Sequence, residues 1–491
     1  MTPPAPFGPN RDPHRSVGRS YDGRYHGTAE VRGGNCPRSR YYDSGRFGRL
    51  FPSLEPLNFP TGPLLELGAL GGPMDGGADD ADNPDHEQGL PAGFTFLGQF
   101  IDHDITFDPT SSLERQTDPE AVANFRTPLL ELDNVYGSGP GVSPHLYDTR
   151  DRDKLLVEPL EGDGAGIDVP RNSQNVALIG DPRNDENLIV NQLHLAFLRF
   201  HNAVVDRVRS NALTPPGSND FETAQRLVRW HYQWMIVHEY LPHIVGQPMV
   251  DAVLAGGRRV FNWRHEPFMP VEFAVAAFRF GHTQVRSGYA VNDNFGGAIF
   301  PALGGGQRVT PDRAVDWANF FVIDGSAPAV SKRFDPRISQ PLLNLPFAAG
   351  TPDDPASLAQ RNLLRGNIFG LPSGQAVATA MAGDHNALVG DHPGLTPIEV
   401  LTESDLAELE PLNPHLTRHT PLWYYILRES DIRENGRRLG PVGGRIVAET
   451  FIGLLQGDRL SYLRTSPFWA PTLAANNDFT TADLLSLAGV V

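Results

Sequence analysis

The sequence predicts a mainly α-helical protein that folds as one large domain with little β structure. Apolar residues recur at helical spacing in several long segments, and no alternating strand pattern of comparable length competes with them. Neither an internal repeat nor a clear linker divides the 491 residues. Hydrophobic residues make up 40% of the chain and charged residues 20%, the composition of an ordinary globular protein with a large core.

The charge balance and the cysteine content exclude several classes of partner and site. The formal net charge is −17, and an acidic surface repels nucleic acid and anionic membranes. Cys36 is the single cysteine, which rules out an intrachain disulfide and argues against thiolate metal ligands. The first residues lack the apolar stretch of a signal peptide, and no apolar run approaches the roughly 18 residues of a membrane span. A cytoplasmic location is the default expectation, with signal-independent export left open.

The N-terminal part of the chain is polar and rich in glycine. Residues 1–50 predict an extended or partly disordered arm, and residues 51–491 form the remaining domain. The stretch Gly71–Gly89 predicts an exposed loop. Gly93–Phe107 then has helical spacing, and Pro109 follows it.

Two long amphipathic helices are predicted next, over Glu186–Ser210 and Phe221–Val245, with Pro242 near the end of the second. Val271–Phe280 is almost wholly apolar, which indicates a helix buried on all sides. The later helix candidates are Ala356–Arg365, Glu399–Glu408, Pro421–Glu434 and Gly444–Gln456.

The first cluster of chemically capable residues lies in the motif GQFIDHD. On a helix, Gln99, Asp102 and His103 stand at i, i+3 and i+4 and share one face. Polar groups on an apolar helix are costly unless they are satisfied, so the set is either a satisfied core histidine with a polar cap or a reaction site. The His-Asp pair of metal-dependent phosphohydrolases is a further interpretation, but it needs more His and Asp ligands, and no matching pattern follows.

The second cluster lies in GDPRNDE, which leads into the first long helix. Arg183 and Glu186 are three residues apart, an arrangement that by itself is more typical of a surface ion pair and a helix cap than of catalysis.

The third and fourth clusters carry a histidine and an asparagine. His282 ends the apolar segment AFRFGHT, where it is either a core residue or an axial haem ligand. Gly281 beside it removes a side chain where a flat, bulky group could approach. Asn362 begins NLLRG, a helix that ends in a Gly/Pro turn; in a functional interpretation it hydrogen-bonds an axial imidazole.

A fifth motif, TPLLELDNVYG, places oxygen-bearing residues at alternate positions of an extended loop between Thr127 and Gly137. Such a loop suits a hard cation such as calcium, although each residue could equally be an exposed loop residue.

The order of these motifs resembles the animal-type haem peroxidases, the superfamily of peroxidases and cyclooxygenases, in one of its bacterial branches. GQFIDHDIT resembles the distal-histidine motif, GDPRNDEN the distal-arginine motif and AFRFGHT the proximal-histidine motif. NLLRG with GLPSGQ resembles the segment of the proximal asparagine, LELDNVYG resembles the calcium loop, and LxxxHN at Leu198–Asn202 lies where a further helix motif is expected. The resemblance covers residues from about 90 to about 465 and implies a helical fold with haem b between central helices.

The resemblance also implies the catalytic roles. His103 is expected to be the distal base that moves a proton between the two oxygens of hydrogen peroxide, and Arg183 to stabilise charge on the departing oxygen. Gln99 is expected to hydrogen-bond distal water or an anion. His282 is expected to ligate the iron, with Asn362 as its hydrogen-bond partner. The reaction implied is oxidation of a small donor (halide, thiocyanate or phenolic/aromatic) through a ferryl intermediate.

The resemblance further implies how the cofactors are held. Asp102 and Glu186 match positions that form ester bonds to haem methyl groups, and the position after Glu186 is Asn187, so the sulfonium link of some mammalian members is not expected. Arg279 is expected to meet a haem propionate. The expected calcium ligands are Asp104, Thr127, the carbonyl of Leu129, Glu131 and Asp133. Family members commonly carry Asp where Glu131 stands.

Two other functions are alternatives to a peroxidase. A haem fatty-acid dioxygenase of the cyclooxygenase-like branch shares the haem site, but such enzymes carry an oxidisable tyrosine three residues before the proximal histidine, where this sequence has Arg279. A haem sensor or silent haem carrier needs neither His103 nor Arg183. Peroxidase is therefore the preferred prediction, with the physiological donor and the oligomeric state left open.

Overall fold

A computed structural model describes residues 47–77, 87–106, 127–157, 166–383 and 400–491, apart from the single positions 265, 347, 349 and 353. The described residues are mainly helical, and their strands pair only into two-stranded ribbons. The predicted fold class is therefore confirmed. None of the described helices is both long and apolar enough to cross a membrane. Cys36, Phe107, Pro109 and residues 1–46 of the predicted arm lie outside the described residues.

The described α-helices longer than one turn are α1 (Thr61–Leu67), α2 (Gly93–Ile105), α3 (Leu188–Ser210), α4 (Asp220–Met235), α5 (Leu241–Val245), α6 (Gln247–Gly256), α7 (Leu358–Ile368), α8 (Gly374–Gly383), α9 (Glu403–Leu409), α10 (Leu422–Glu434), α11 (Pro441–Gly457) and α12 (Thr481–Leu487). Single helical turns lie at Asp133–Tyr136, Val271–Ala274, Gln340–Leu343 and Tyr462–Thr465.

The described strands are β1 (Phe47–Gly48), β2 (Glu87–Pro91), β3 (Met269–Pro270), β4 (Gly288–Ala290), β5 (Gly296–Ala298) and β6 (Val330–Lys332). β1 pairs in parallel with β3, while β2 with β6 and β4 with β5 are antiparallel. The loop predicted over Gly71–Gly89 extends too far, because its last three residues belong to β2.

Helix α2 begins and ends close to the predicted bounds and is buried along most of its length. Phe100 stacks on Phe197 of α3, with ring centroids 4.3 Å apart and an interplanar angle of 9°. Burial of one such aromatic side chain is worth roughly 1.5–3 kcal/mol, so this contact fixes α2 against α3. The pairing positions the polar face that carries Gln99, Asp102 and His103.

Helix α3 starts two residues later than its pattern predicts, because Asn187 caps it. The Asn187 Oδ1 atom accepts the backbone N–H of Val190 at 2.9 Å. The preceding residues Pro182–Asp185 form a separate 3₁₀ turn, in which Asp181 accepts the N–H of Arg183. Arg183 and Glu186 precede the cap, so their side-chain directions do not follow the spacing of helix α3.

The helix predicted over Phe221–Val245 contains a π-helical turn at Ile236–Tyr240 between α4 and α5. Pro242 has no backbone N–H to complete the α-helical pattern, and the N–H of Leu241 reaches the carbonyl of Ile236, five residues back. The extra residue in this turn changes the direction of the Tyr240 side chain relative to α4.

The prediction of one buried helix over Val271–Phe280 is wrong in its form. The structure has a single α turn at Val271–Ala274 and a 3₁₀ segment at Ala277–His282. The Nε atom of Arg279 donates to the carbonyl of Ala274 at 2.9 Å, a side-chain bond that competes with the helical pattern. The apolar character of the segment is nonetheless correct, because Phe278 and Phe280 are buried.

The later helices agree with prediction to within a few residues: α7, α9, α10 and α11 lie where Ala356–Arg365, Glu399–Glu408, Pro421–Glu434 and Gly444–Gln456 place them. Residue 399 itself is not described. The buried apolar side chains form one continuous core from Phe47 to Ala488. The core therefore includes Phe47 and Leu50, which were assigned to the N-terminal arm.

His231 on α4 holds the C-terminal segment against this core. Its Nδ1 lies 2.7 Å from the Leu227 carbonyl, and its Nε2 accepts the backbone N–H groups of Thr472 and Leu473 at 3.1 and 3.2 Å. A neutral imidazole satisfies all three contacts, whereas a protonated ring would turn a donor toward two donors. Burial lowers the pKa of His231 to about 4.

We predict that His231 makes the protein less stable in acid. The folded-state pKa lies below the ordinary value of 6.5, so the unfolded chain binds the extra proton first as the pH falls. The free energy of unfolding should drop by up to about 1.4 kcal/mol per pH unit between pH 6.5 and about 4 from this group. Urea unfolding at several pH values should show a shallower drop for His231→Gln than for the wild type, and parallel curves would contradict the assignment.

Candidate functional site

The distal part of the site is built on α2. His103 is 4% exposed, and its Nδ1 lies 2.8 Å from Oδ1 of Asn184. Its Nε2 has no hydrogen-bond partner within the described part of the chain. Burial, assisted by the positive charge of Arg183, lowers the pKa of His103 to about 4. The ring is therefore an uncharged base at neutral pH, with one nitrogen anchored and the other available.

Arg183 lies against the end of α2. Its guanidinium forms an ion pair with Asp181 at 2.9 Å and donates to the backbone carbonyls of His103, at 3.1 Å, and Thr106, at 2.5 Å. Asp181 is fully buried, so the pair is held rigidly. The structure thus brings Arg183 to the helix that carries His103, as the motifs predict, and shows that it also tethers the backbone of that helix.

Glu186 and Gln99 form a hydrogen-bonded set next to His103. Gln99 Nε2 donates to Glu186 Oε2 at 3.3 Å, and Gln99 Oε1 accepts from Asn187 Nδ2 at 3.1 Å. Burial raises the pKa of Glu186 to about 7, against the opposing effect of Arg183. Gln99 therefore acts as a bridge between two residues of the distal-arginine segment, a contact that its helix position did not reveal.

Asp102 lies close enough to His103 and Glu186 for its charge to act on both. Its carboxylate accepts no hydrogen bond from any residue of the described ranges. The structure therefore brings Asp102 and Glu186, the two candidate ester carboxylates, to one region, although they are 84 residues apart in the sequence.

The proximal part of the site is built on the 3₁₀ segment and α7. His282 Nδ1 lies 2.8 Å from Nδ2 of Asn362, which is 4% exposed. Burial and the charge of Arg279 lower the pKa of His282 to about 3. The structure pairs His282 with Asn362, but through the amide nitrogen, whereas the predicted role of Asn362 is to accept a proton from the imidazole. Arg279 is committed through its Nε to Ala274, and its expected contact with a propionate stays a prediction.

Tyr240 connects the distal helix to the proximal segment. A Cβ atom at Gly98 would lie 2.4 Å from the Tyr240 hydroxyl, and the Tyr240 ring is 6.4 Å from that of Phe278. The two motifs that carry His103 and His282 therefore converge on one buried tyrosine. Its position depends on the π-helical turn, which the sequence pattern did not predict.

The expected calcium loop is partly assembled. The Thr127 hydroxyl donates to Glu131 and lies 3.3 Å from Asp133 Oδ2, and the loop is tied to α2 through Asn134 Nδ2, which donates to the carbonyl of Phe100 at 3.2 Å. Asp104 is fully buried and accepts from the Tyr232 hydroxyl at 3.2 Å.

Leu129 belongs to the same loop, and its N–H donates to the Thr127 carbonyl. Across the described residues, no three His, Cys, Asp or Glu side chains are arranged to hold a metal ion. The calcium ligand set therefore stays a prediction.

Sequence reasoning missed two polar residues of the site, Asn184 and His194. Asn184 Nδ2 lies 3.0 Å from His194 Nδ1, so it contacts this histidine as well as His103. Both residues stand inside quoted or predicted segments, but their significance depends on a contact between α2, α3 and the 3₁₀ turn. The sequence signal that could have identified His194 is its position as a polar residue in the middle of the apolar face of α3.

Comparison with known proteins identifies the same family that the sequence motifs resemble. The family model described as animal haem peroxidase matches residues 111–488. The chain belongs to the animal haem peroxidase family. The matched range contains Arg183, His282 and Asn362, but it begins after His103. The position of His103 beside Arg183 is therefore known from the structure and not from the family match.

The relatives of this chain are distant in sequence. It is 26% identical over 389 residues to a peroxidase-like protein of Margaritifera margaritifera, covering 72% of this chain and 47% of that protein. It is 21% identical over 367 residues to peroxidasin of Drosophila melanogaster, covering 69% and 23%. The chain thus spans less than half of the length of these two relatives.

Solved structures share the fold. Peroxidase A from Dictyostelium discoideum superimposes with a TM-score of 0.62 at 16% identity, covering 90% of this chain and 93% of that one. A fatty acid α-dioxygenase from Oryza sativa gives a TM-score of 0.58 at 13% identity, with 95% and 87% covered. Both likenesses concern the fold.

The residues present fit the haem that the family implies. His103 and His282 each use Nδ1 for an asparagine and leave Nε2 without a hydrogen-bond partner among the described residues. A Cβ atom at Gly281 would meet nothing within 4 Å, so open space adjoins the backbone next to His282. His282 is therefore the residue that would hold the haem iron, with the space at Gly281 left for the macrocycle.

We predict that Gly281→Ala weakens haem retention, because the added methyl group projects into the open space beside His282. The haem content of the purified variant, read from the ratio of Soret to protein absorbance, should fall well below that of the wild type. Gly256→Ala, whose Cβ also meets nothing within 4 Å but lies on α6, is the matched control. Equal haem content in both variants would show that the macrocycle does not approach Gly281.

Proposed function

We propose that this protein is a haem peroxidase that reduces hydrogen peroxide and oxidises small donors, of the halide, thiocyanate or phenolic and aromatic classes. The observation that carries the proposal is the state of His103: a buried, uncharged imidazole, anchored through Nδ1 by Asn184, with Nε2 left for a substrate. A protein that only stores haem needs no such base. Family membership supports the same conclusion.

Bound haem b supplies the iron centre at which the peroxide O–O bond is cleaved and the oxidising equivalents are held. In the proposed arrangement, His282 holds the iron through Nε2. This requires a proton on Nδ1, so Asn362 presents its amide oxygen to Nδ1, a half-turn of the amide from the orientation in which Nδ2 faces the ring. A neutral amide partner keeps the imidazole less anionic than a carboxylate partner does.

With haem bound, His103 Nε2 would take a proton from one oxygen of hydrogen peroxide and return it to the other, which would leave as water. Arg183 contributes a fixed positive charge close to His103. Its hydrogen bonds to the His103 and Thr106 carbonyls also keep the end of α2 in place, so one side chain provides charge and rigidity. Gln99 hydrogen-bonds Glu186 and Asn187 and thereby fixes their positions relative to α2.

Asp102 and Glu186 are proposed to form ester bonds to haem methyl groups. Each ester C–O bond would replace a methyl C–H bond, a two-electron oxidation for which hydrogen peroxide, the oxidant of the proposed reaction, would be reduced to two molecules of water. Support comes from their shared location and from the raised pKa of Glu186, which indicates an environment that favours an uncharged carboxyl group. An ester replaces the charged form with a neutral one, which removes the cost of burying a carboxylate.

Calcium binding by the Thr127–Asp133 loop and Asp104 is likewise proposed. Support comes from the convergence of the Thr127, Glu131 and Asp133 oxygens and from the buried Asp104 adjacent to His103. An ion there would join the loop to α2.

The second candidate is a fatty-acid dioxygenase, favoured by the fold shared with the Oryza sativa enzyme. Another solved structure of that plant enzyme is described as a variant with palmitic acid. In this chain Arg279 stands three residues before His282 and binds the Ala274 carbonyl, so no oxidisable side chain occupies that place. The peroxidase is therefore preferred.

Substitution of the two histidines tests the proposal. His282→Ala should purify with little haem, because the residue that would hold the iron is missing before the ester bonds can form. His103→Ala should retain haem, yet its second-order reaction with peroxide, followed by stopped-flow absorbance, should slow by about 10²–10⁴-fold. His415→Ala, which removes a surface histidine on a 3₁₀ turn, is the control and should match the wild type. Wild-type peroxide kinetics in His103→Ala would overturn the distal assignment.

The covalent attachment of haem has its own test. After acid extraction into organic solvent, haem should remain on the wild-type chain and appear as a mass increase of the intact protein. Asp102→Asn and Glu186→Gln should each remove one bond, and the double variant should release free haem. Complete extraction from the wild type would show that both carboxylates only hydrogen-bond.

A further inference from the structure

A continuous line of hydrogen bonds leads away from the distal base into the core. His103 Nδ1 is 2.8 Å from Asn184 Oδ1, and Asn184 Nδ2 is 3.0 Å from His194 Nδ1. The exposed fractions of the three side chains are 4%, 0% and 0%. Water therefore cannot compete for these contacts. The Asn184 amide connects the two imidazoles through one hydrogen bond to each ring.

The orientation of the amide determines where each ring carries its proton. Asn184 Oδ1 is only an acceptor, so it requires a proton on His103 Nδ1. The other nitrogen of a neutral His103, Nε2, then holds a lone pair. Asn184 Nδ2 is only a donor, so it requires a lone pair on His194 Nδ1 and places the proton of that ring on Nε2.

We propose that Asn184 and His194 are positioning residues that keep His103 in the tautomer with a basic Nε2. The inference rests on the proposed peroxidase function, because only that reaction needs a proton acceptor at this atom. If the amide were reversed, Nδ2 would donate to His103, the ring proton would move to Nε2, and the distal histidine could not accept a proton from peroxide.

The fold fixes the positions of Asn184 and His194. Asn184 lies in the 3₁₀ turn Pro182–Asp185, and its backbone N–H bonds the Asp181 carbonyl at 3.1 Å. His194 lies on α3, 6.2 Å from the Phe100 ring of α2. The turn that presents Arg183 therefore also sets the tautomer of His103, and the α2–α3 contact fixes the distance between the two rings.

His194 is difficult to explain as a purely structural residue. Its Nε2 is buried and has no hydrogen-bond partner among the described residues. Burial of an unpaired polar group is unfavourable, and an apolar side chain would fill the same place without that penalty. What a histidine contributes here is its Nδ1, which accepts from Asn184 as no apolar residue can.

Two matched pairs of variants test the inference in the haem-loaded protein. Asn184→Leu preserves shape and removes both contacts, whereas Asn184→Asp keeps an acceptor for His103 Nδ1. His194→Leu removes the acceptor for Asn184, whereas His194→Asn places an amide oxygen near the position of Nδ1. One readout is the single-turnover rate with peroxide, and the other is ¹⁵N NMR of the His103 ring nitrogens in the diamagnetic ferrous carbonyl form.

We expect Asn184→Leu and His194→Leu to slow the single-turnover reaction about tenfold or more, and the Asp and Asn variants to recover most of that loss. The ¹⁵N spectrum should show protonated Nδ1 in the wild type and in the recovering variants, and a mixture of tautomers in the leucine variants. Haem content should be the same in all of them, because His282 is untouched.

Equal rates in the leucine variants and the wild type, or a wild-type His103 protonated on Nε2, would overturn the inference. If Asn184→Asp fails to fold, the His194 pair still decides the question. If the wild type binds haem but does not react with peroxide, the proposed function fails, whereas the ¹⁵N pattern still tests the role of Asn184.

Discussion

The site depends on the pairing of a buried imidazole with a buried amide, a contact that occurs twice. His103 is held by Asn184 and His282 by Asn362, each through Nδ1 at 2.8 Å. Once Nδ1 is engaged, the direction of Nε2 is set by the covalent geometry of the ring. The asparagines occupy different elements from the histidines they hold, so the site forms only when α2 meets the 3₁₀ turn and α7 meets the proximal segment.

The cost of burying charge explains much of the rest of the distal region. Asp181 is fully buried and is balanced by Arg183, which in turn binds two carbonyls at the end of α2. Glu186 is balanced less completely, and its pKa is raised in consequence. A single guanidinium thus serves one carboxylate through direct contact and another at longer range. This uneven distribution leaves Glu186 as a carboxyl group that is stabilised when it loses its charge.

Much of this site was predictable because helix periodicity brings residues together locally. The shared face of Gln99, Asp102 and His103 follows from spacing, and the pairing of His282 with Asn362 follows from motif order. The break at Val275 and Ala276 could not be predicted, because it depends on a side-chain bond from Arg279 to Ala274 that periodicity does not encode. The same limit hid Asn184 and His194, whose contact joins elements that no local pattern relates. The tether from Arg183 to the α2 carbonyls is a tertiary contact of the same kind.

The close approach of Gly98 to Tyr240 links the evolution of two distant positions. With the hydroxyl in place, a methyl group at residue 98 would come within 2.4 Å of it, so any side chain there is disfavoured while residue 240 is tyrosine. With phenylalanine at residue 240, the nearest ring carbon is 3.3 Å from the same point, a distance that small adjustments can relieve. The two residues should therefore change as a pair, and a mutational library that varies residue 98 alone would recover glycine.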